Sequence, residues 1–270
     1  MYSLAVVGNP IEHSLSPLVF NLFAKQCRIT LNYTKILAHD KLDFKQKVQK
    51  FFAAGGIALN ITSPFKHDAY SITSKHTLRS QFCQASNFIF IDNNDDLISD
   101  TTDGIGLIND LVINRKLNLA YKNILIIGSG FVVDSILLDL IGQAPSTIDI
   151  LARNRERINY INGKFGSGIF DKQKQYDLIL NTTPNIAENM LFDAIEFIPE
   201  ETFCYDLTYV GSNSLFASKM LTLNVKSVGC NGIGMLVEQA KWAFVKLFAK
   251  VPDAKEVIDY LSLNPMIYPT

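Results

Sequence analysis

An excess of charge of either sign is missing from this sequence. Among its 270 residues, 25 Lys and Arg stand against 26 Asp and Glu, a formal net charge of −1. That balance supplies no broad electrostatic footprint for nucleic acid or an anionic membrane, although it leaves room for a local patch. Cysteine is scarce as well. Cys27, Cys83, Cys204 and Cys230 are widely scattered, with no C-x-x-C pair and no zinc spacing. Reduced thiols, a cytoplasmic location and no metal are therefore expected. Long apolar runs are also absent. The best stretch, 131–141, contains Asp134 and Asp139, and a membrane helix needs about 18 uninterrupted apolar residues. The apolar start lacks a basic n-region and stops at Gly8-Asn9-Pro10, so it reads as a first strand rather than a signal peptide. Apolar residues are what the chain has: 48% are hydrophobic and 19% charged. A sizeable core follows, in one large domain or two ordinary ones.

Strand and helix patterns alternate almost throughout. Strands are predicted over 3–7, 32–37, 57–61, 86–91 and 97–99, the last two flanking the turn-rich Asp92-Asn93-Asn94-Asp95-Asp96 as a hairpin. Helices fill the intervals at 16–27 and 44–53, and a short one begins at Pro64 and carries Lys66. Ser16-Pro17 predicts a helix start with Ser16 as N-cap. A second series follows a helix near 105–115. Its strands are predicted over 123–127, 147–151, 177–181, 202–206 and 225–228, with helices over 131–141 and 155–162. Helices over 233–249 and 254–261 close the chain. Such alternation predicts an α/β protein with parallel sheets covered by helices, and two series favour two domains.

The strand at 123–127 runs directly into Gly128-Ser129-Gly130, and an apolar helix follows. Glycines there permit a tight turn and close approach of a pyrophosphate, while the helix start favours its charge. Val133 holds the third glycine position of the G-x-G-x-x-G pattern, which predicts looser packing of helix on strand. After the next strand, NAD sites place an acid for the ribose 2′-hydroxyl. Here the stretch is Ala152-Arg153-Asn154-Arg155-Glu156-Arg157, and three guanidinium groups fit a 2′-phosphate better. NADP is the expected cofactor, and a solvated helix start is the plain alternative.

In the first half, Ser14, Ser16, Asn60, Thr62, Lys66, Asn87 and Asp103 fall near predicted strand ends, where α/β folds bind ligands. Hydroxyls and amides suit a polyhydroxylated ligand, with Lys66 for proton transfer. At Val7-Gly8-Asn9-Pro10-Ile11-Glu12-His13-Ser14-Leu15-Ser16-Pro17, the chain resembles the shikimate dehydrogenase family. Asn60-Ile61-Thr62-Ser63-Pro64-Phe65-Lys66, Thr102-Asp103-Gly104 and 231–240 (NGIGMLVEQA) extend the resemblance in order and spacing.

The resemblance implies an α/β substrate-binding domain over 1–104, completed by helices within 233–270, and a Rossmann NADP-binding domain over 105–232. It implies that Ser14 and Ser16 bind the shikimate carboxylate. Asn60, Thr62, Asn87 and Gln239 would hold its hydroxyls or neighbouring groups, and Tyr209 would line the pocket. Lys66 and Asp103 would be the catalytic pair. Gly128, Ser129 and Gly130 would face the pyrophosphate, Arg153 and Arg157 the 2′-phosphate, and Gly232 the nicotinamide, with Asn154 also binding the cofactor. The implied reaction is NADPH-dependent reduction of 3-dehydroshikimate to shikimate, in chorismate and aromatic amino acid biosynthesis, by a cytoplasmic monomer or homodimer. Its partner would be this small-molecule substrate, with no nucleic acid or membrane. Two alternatives stay open: an NAD-linked quinate/shikimate dehydrogenase, and a weakly catalytic shikimate-binding regulatory protein. Departures concentrate beside the cofactor. The family continues its glycine turn with Gly and Ala where this chain has Phe131 and Val132, and a bulky Phe131 is expected to narrow the approach to the pyrophosphate.

Overall fold

The computed structural model describes residues 1–184, 190–209, 214–223, 227–228 and 232–264. They form two compact units, one built on Met1–Gly106 with Leu236–Leu263, the other on Leu107–Met235. In the first, β1 (Tyr2–Gly8) leads through α1 (Ser16–Cys27) to β2 (Leu31–Leu37), and α2 (Lys41–Ala53) leads to β3 (Ala58–Ile61). There follow α3 (Lys66–Ile72), β4 (Lys75–His76), α4 (Leu78–Cys83), the hairpin β5 (Phe88–Ile91) and β6 (Leu97–Asp100), and α5 (Asp103–Ile108). A π-helical turn, Asn109–Asn114, continues α5 into the second unit. That unit holds β7 (Asn123–Ile127), α6 (Phe131–Ile141), β8 (Thr147–Leu151), α7 (Arg155–Phe165), β9 (Gly168–Ile169) and β10 (Leu178–Asn181). After the 3-10 turn Met190–Ala194 come β11 (Phe203–Asp206), α8 (Leu215–Thr222) and β12 (Ser227–Val228). The last helices are α9 (Ile233–Phe248) and α10 (Ala254–Leu263). Among the described residues, no helix is long and apolar enough to cross a membrane.

The described strands of the first unit lie in the order β2-β1-β3-β5-β6-β4. β1 is parallel to β2 and β3, whereas β5 runs antiparallel to both β3 and β6. This sheet is therefore mixed, not parallel throughout, because a tight hairpin reverses the chain at β5. In the second unit the order is β12-β11-β10-β7-β8-β9, with every pair parallel. Numbered from β7, that is 3-2-1-4-5-6, the Rossmann arrangement, whose order reverses between β7 and β10. Ile124–Ile127 are fully buried, as expected of a parallel strand covered on both faces.

Local chemistry explains most boundaries. In α1, Val19, Phe20, Phe23 and Ala24 share a buried stripe, the spacing of an amphipathic helix. The helix ends where Arg28 turns left-handed, at φ 53°. Its start differs from expectation: Ser16 is inside the helix, Leu15 is the cap residue, and no side chain caps it in the usual way. Ser14 Oγ instead accepts from the Ser16 N–H at 3.3 Å. Asp40, Asn154 and Ser214 do cap α2, α7 and α8 through their side chains. Val133, expected to loosen the second unit, is fully buried in a cluster with Ile124, Ile126 and Ile150. Cys27, Cys83 and Cys204 are free thiols; Cys230, Asn231 and the first residues of the predicted 225–228 strand lie outside the described residues.

α5 and α9 approach so closely that a Cβ on Gly106 would lie 2.6 Å from Gln239 Cβ and 2.7 Å from its backbone N. Gly106→Ala is expected to cost about 1–3 kcal/mol through overpacking, read as a lower urea midpoint with an unchanged m-value. An unchanged midpoint would show that the two helices part without strain.

Candidate active site

Register assembles a polar cluster in the first unit. Asn60 of β3 pairs with Phe88 of β5, and Phe88 pairs with Asp100 of β6. Asn87, just before β5, thus stands beside the end of β3, and the Ile61 N–H donates to its carbonyl at 2.7 Å. Thr101, Thr102 and Asp103 leave β6 at the same end. Lys66 opens α3 just beyond β3 and points its ammonium back to the cluster: Nζ donates to Asp103 Oδ2 at 2.6 Å. Side-chain exposure is 17% for Lys66 and 10% for Asp103, so this pair is largely shielded from water and its attraction exceeds that of a surface pair.

Asn87 ties the remaining groups together. Its Nδ2 lies 3.0 Å from Thr102 Oγ1, 2.9 Å from Asp103 Oδ1 and 3.2 Å from Gln239 Oε1. Its Oδ1 accepts from the Thr102 N–H at 2.9 Å. Gln239 is buried in this network, with Nε2 donating to the Leu236 carbonyl. Asp103 accepts from both Lys66 and Asn87, which fixes its carboxylate plane.

A second group runs from α1 to β3. Ser14 Oγ donates to Ser16 Oγ at 3.2 Å, and the Tyr33 hydroxyl donates to Asn60 Oδ1 at 2.7 Å. Tyr33 is buried, which pushes its phenol well above the ordinary value, while a hydrogen bond with Ser16 opposes the shift. The hydroxyl therefore remains a donor. Thr62 is half-buried, its N–H donating to the Val7 carbonyl. Tyr33 was not among the sequence candidates. A single Tyr in a strand gives no local signal, and only the pairing of β2 beside β1 brings it to Asn60.

The second unit has a cavity of about 490 Å³ at the reversal between β7 and β10, lined by Gly128, Ser129, Gly130, Ala152, Arg153, Asn154, Thr182, Thr183, Pro184 and Leu191. Gly128 has φ +114°, and a Cβ there would sit 2.3 Å from Thr182 Oγ1; only glycine fits this turn. At Gly130, an added Cβ would meet no atom within 4 Å, so the turn borders open space. Arg153 and Arg155 are exposed, but only Arg153 lines the cavity. Thr182 and Thr183 were missed, although a polar run after an apolar strand was a visible signal.

One cofactor-side expectation differs from the structure. Phe131 does not line the cavity; it is 45% exposed, and its ring lies 5.5 Å from the Arg157 guanidinium. Arg157 is half-buried. Its Nε donates to the Ser129 carbonyl at 3.0 Å, and its Nη2 is paired with Asp134. Burial raises the Asp134 carboxyl above its usual range, against the pull of Arg157 and Lys164. Tyr209 and Gly232 also belong to the second unit. Tyr209 is half-buried with its phenol pushed up by burial, and the Gly232 N–H donates to the Thr208 carbonyl at 2.9 Å.

Comparison with known proteins places these features in one family. The sequence profile of the shikimate dehydrogenase substrate binding domain matches residues 6–89. A shikimate dehydrogenase (NADP(+)) of Vesicomyosocius okutanii is 39% identical over 269 residues, covering 97% of this chain and 99% of that one. One from Legionella pneumophila strain Lens is 35% identical, covering 95% and 97%. Among solved structures, the Ael1 enzyme of Pseudomonas putida is 27% identical with TM-score 0.85, over 97% of this chain and 98% of that one. The shikimate 5-dehydrogenase of Thermus thermophilus in complex with NADP(H) and shikimate shares the fold at 20% identity and TM-score 0.84, over 97% and 99%. Identity above a third, sustained through both units, carries the conclusion: the chain belongs to the shikimate dehydrogenase family.

Proposed function

We propose that this chain is an NADP-dependent shikimate dehydrogenase, reducing 3-dehydroshikimate reversibly to shikimate within aromatic amino acid biosynthesis. The observation that carries the reading is the shielded Lys66–Asp103 pair at 2.6 Å, set among Asn87, Thr102 and Gln239. Residues 1–104 with 233–270 serve as the substrate domain, and 105–232 as the cofactor domain. The enzyme works in the cytoplasm as a monomer or homodimer.

Reduction of a ketone places negative charge on its oxygen in the transition state. The Lys66 ammonium offsets that charge and delivers the proton, and Asp103 holds the ammonium in position. Water is largely excluded there, so the interaction is stronger than in solution. Ser14 and Ser16 donate their hydroxyls to the substrate carboxylate. Tyr33 occupies Asn60 Oδ1, which leaves the Asn60 amide N–H groups for a substrate hydroxyl. Thr62, Asn87 and Gln239 bind the rest of the polyol face. Tyr209 and Gly232 keep the roles that the family resemblance assigns them, on substrate and nicotinamide.

The cavity beside the glycine turn suits a dinucleotide in size and chemistry. Gly128, Ser129 and Gly130 border the pyrophosphate at the start of α6, and Arg153 with Asn154 meets the 2′-phosphate. No acid follows β8 directly, where an NAD site would need one. When bound, NADPH supplies the hydride for the ketone carbon.

Purified protein is tested with shikimate or quinate and with NADP or NAD, following absorbance of the reduced cofactor. Fastest turnover with shikimate and NADP is expected. Shikimate binding without turnover in any pairing would overturn the assignment and leave a binding protein. Lys66→Ala is expected to lower kcat by about 100-fold or more while shikimate affinity changes by about threefold at most; equal losses would make Lys66 a binding residue. Tyr33→Phe is expected to raise the shikimate KM about tenfold through the lost hydrogen bond, with the NADP KM unchanged. Added to Asn60→Ala, it should cost nothing further, since both remove one interaction. Additive losses would show that Tyr33 acts independently of Asn60.

A further inference from the structure

β6 ends on another carboxylate, Asp100, in the segment that leads to Asp103. Asp100 stands directly across from Phe88 of β5, and its side chain is only 6% exposed. A carboxylate so placed needs donors and a countercharge. Separate segments of the first unit supply them. Oδ1 accepts from the Thr101 N–H at 2.8 Å and from the Thr77 hydroxyl, and Thr77 in turn caps α4. Oδ2 accepts from Nζ of Lys246, on α9, at 2.5 Å. That ammonium lies 5.4 Å from the centre of the Phe90 ring, so the lysine crosses the face of β5 to reach Asp100. The Asp100 carbonyl accepts from the Ser86 hydroxyl at 2.6 Å, and Ser86 immediately precedes Asn87. These bonds converge on the segment that carries Thr102 and Asp103.

We propose that Asp100 is a positioning residue for the reaction, setting the path of the chain from β6 to Asp103, and that Lys246 completes it by supplying the countercharge. This rests on the reading of Lys66 and Asp103 as the catalytic pair. The bond from the Thr101 N–H to the Asp100 side chain closes a small ring and restricts the backbone just before Thr102. Thr102 is then held on both sides. Its N–H donates to Asn87 Oδ1 at 2.9 Å, and its carbonyl accepts from the Gly106 N–H at 2.9 Å. Asp103 follows directly, and the Lys66 ammonium takes its orientation from Asp103. α9 meets this segment at two places, through Gln239 at Thr102 and through Lys246 at Asp100. Those two residues are about two helical turns apart, so their side chains leave the same face. Ketone reduction is sensitive to such placement, because a shift of about 1 Å in a catalytic group can cost about 100-fold in rate.

Steady-state kinetics of the full chain with shikimate and NADP read the placement of Asp103 through kcat. Asp100→Ala is expected to lower kcat about 30-fold and to leave the NADP KM within about twofold. Lys246→Met leaves the carboxylate in place without its cation, and is expected to lower kcat about fivefold. Lys246→Arg, which keeps the charge, should stay within about twofold of the unmodified protein. In an Asp103→Asn background, Asp100→Ala should cost no more than about twofold further, since it acts through Asp103. The Tm of each variant reports its folding. Asp100→Asn keeps an acceptor for the Thr101 N–H and replaces Asp100→Ala if that variant does not fold; about a fivefold loss of kcat is expected there. A kcat within about twofold in Asp100→Ala or Lys246→Met, whatever the Tm, overturns the proposal, and so does an undiminished loss in the Asp103→Asn background. An unmodified protein without turnover would instead overturn the reading of Lys66 and Asp103 as the catalytic pair.

Discussion

The carboxylate of Asp103 is largely withdrawn from water, and the first unit is arranged around satisfying it. Lys66 supplies the opposite charge from the start of α3, and Asn87 supplies an amide donor from the start of β5. Those two residues lie in segments far apart in the chain, and strand pairing is what joins them. A slip of one residue in the β3–β5 or β5–β6 register would move each side chain to the other face of the sheet. The site therefore inherits its geometry from apolar strands whose burial penalises such a slip. Residues such as Leu59, Phe88 and Ile89, all fully buried, hold the register that lets Lys66 meet Asp103.

The second unit repeats the device with another purpose. Asp134 is as deeply buried as the core around it, and Arg157 answers its charge from α7. Here the cation also donates to the Ser129 carbonyl of the glycine turn. The difference lies in what the cation has left over. The Lys66 ammonium keeps donors beyond its bond to Asp103, whereas Arg157 is divided between a carboxylate and a backbone carbonyl.

Much of the architecture was legible in local pattern. The elements at 123–127, 131–141 and 147–151 agree residue for residue with β7, α6 and β8, because an apolar run, a glycine turn and a helical stripe are all local signals. Short or weakly patterned elements, β4, α4, β9 and α8 among them, gave no such signal. Ser16 misled for a related reason: a hydroxyl before proline suits an N-cap, but the chain already turns helical at Leu15. The mixed first sheet follows from the hairpin, whose presence was readable but whose neighbour in the sheet was not.

The identities of the groups able to do chemistry were determined by the sequence: a lysine and an aspartate in recognisable motifs, a glycine turn after a strand, and arginines after the next. The balanced charge also supplied no broad footprint for nucleic acid or an anionic membrane. Which of those groups are available was decided only by tertiary structure. Tyr33 joins Asn60 across β1, Gln239 turns inward from α9, and Arg157 is claimed by Asp134 while Arg153 stays at the cavity. The reason is physical: a side chain's type is a local property, but its remaining hydrogen bonds and charge depend on neighbours that only the fold brings near.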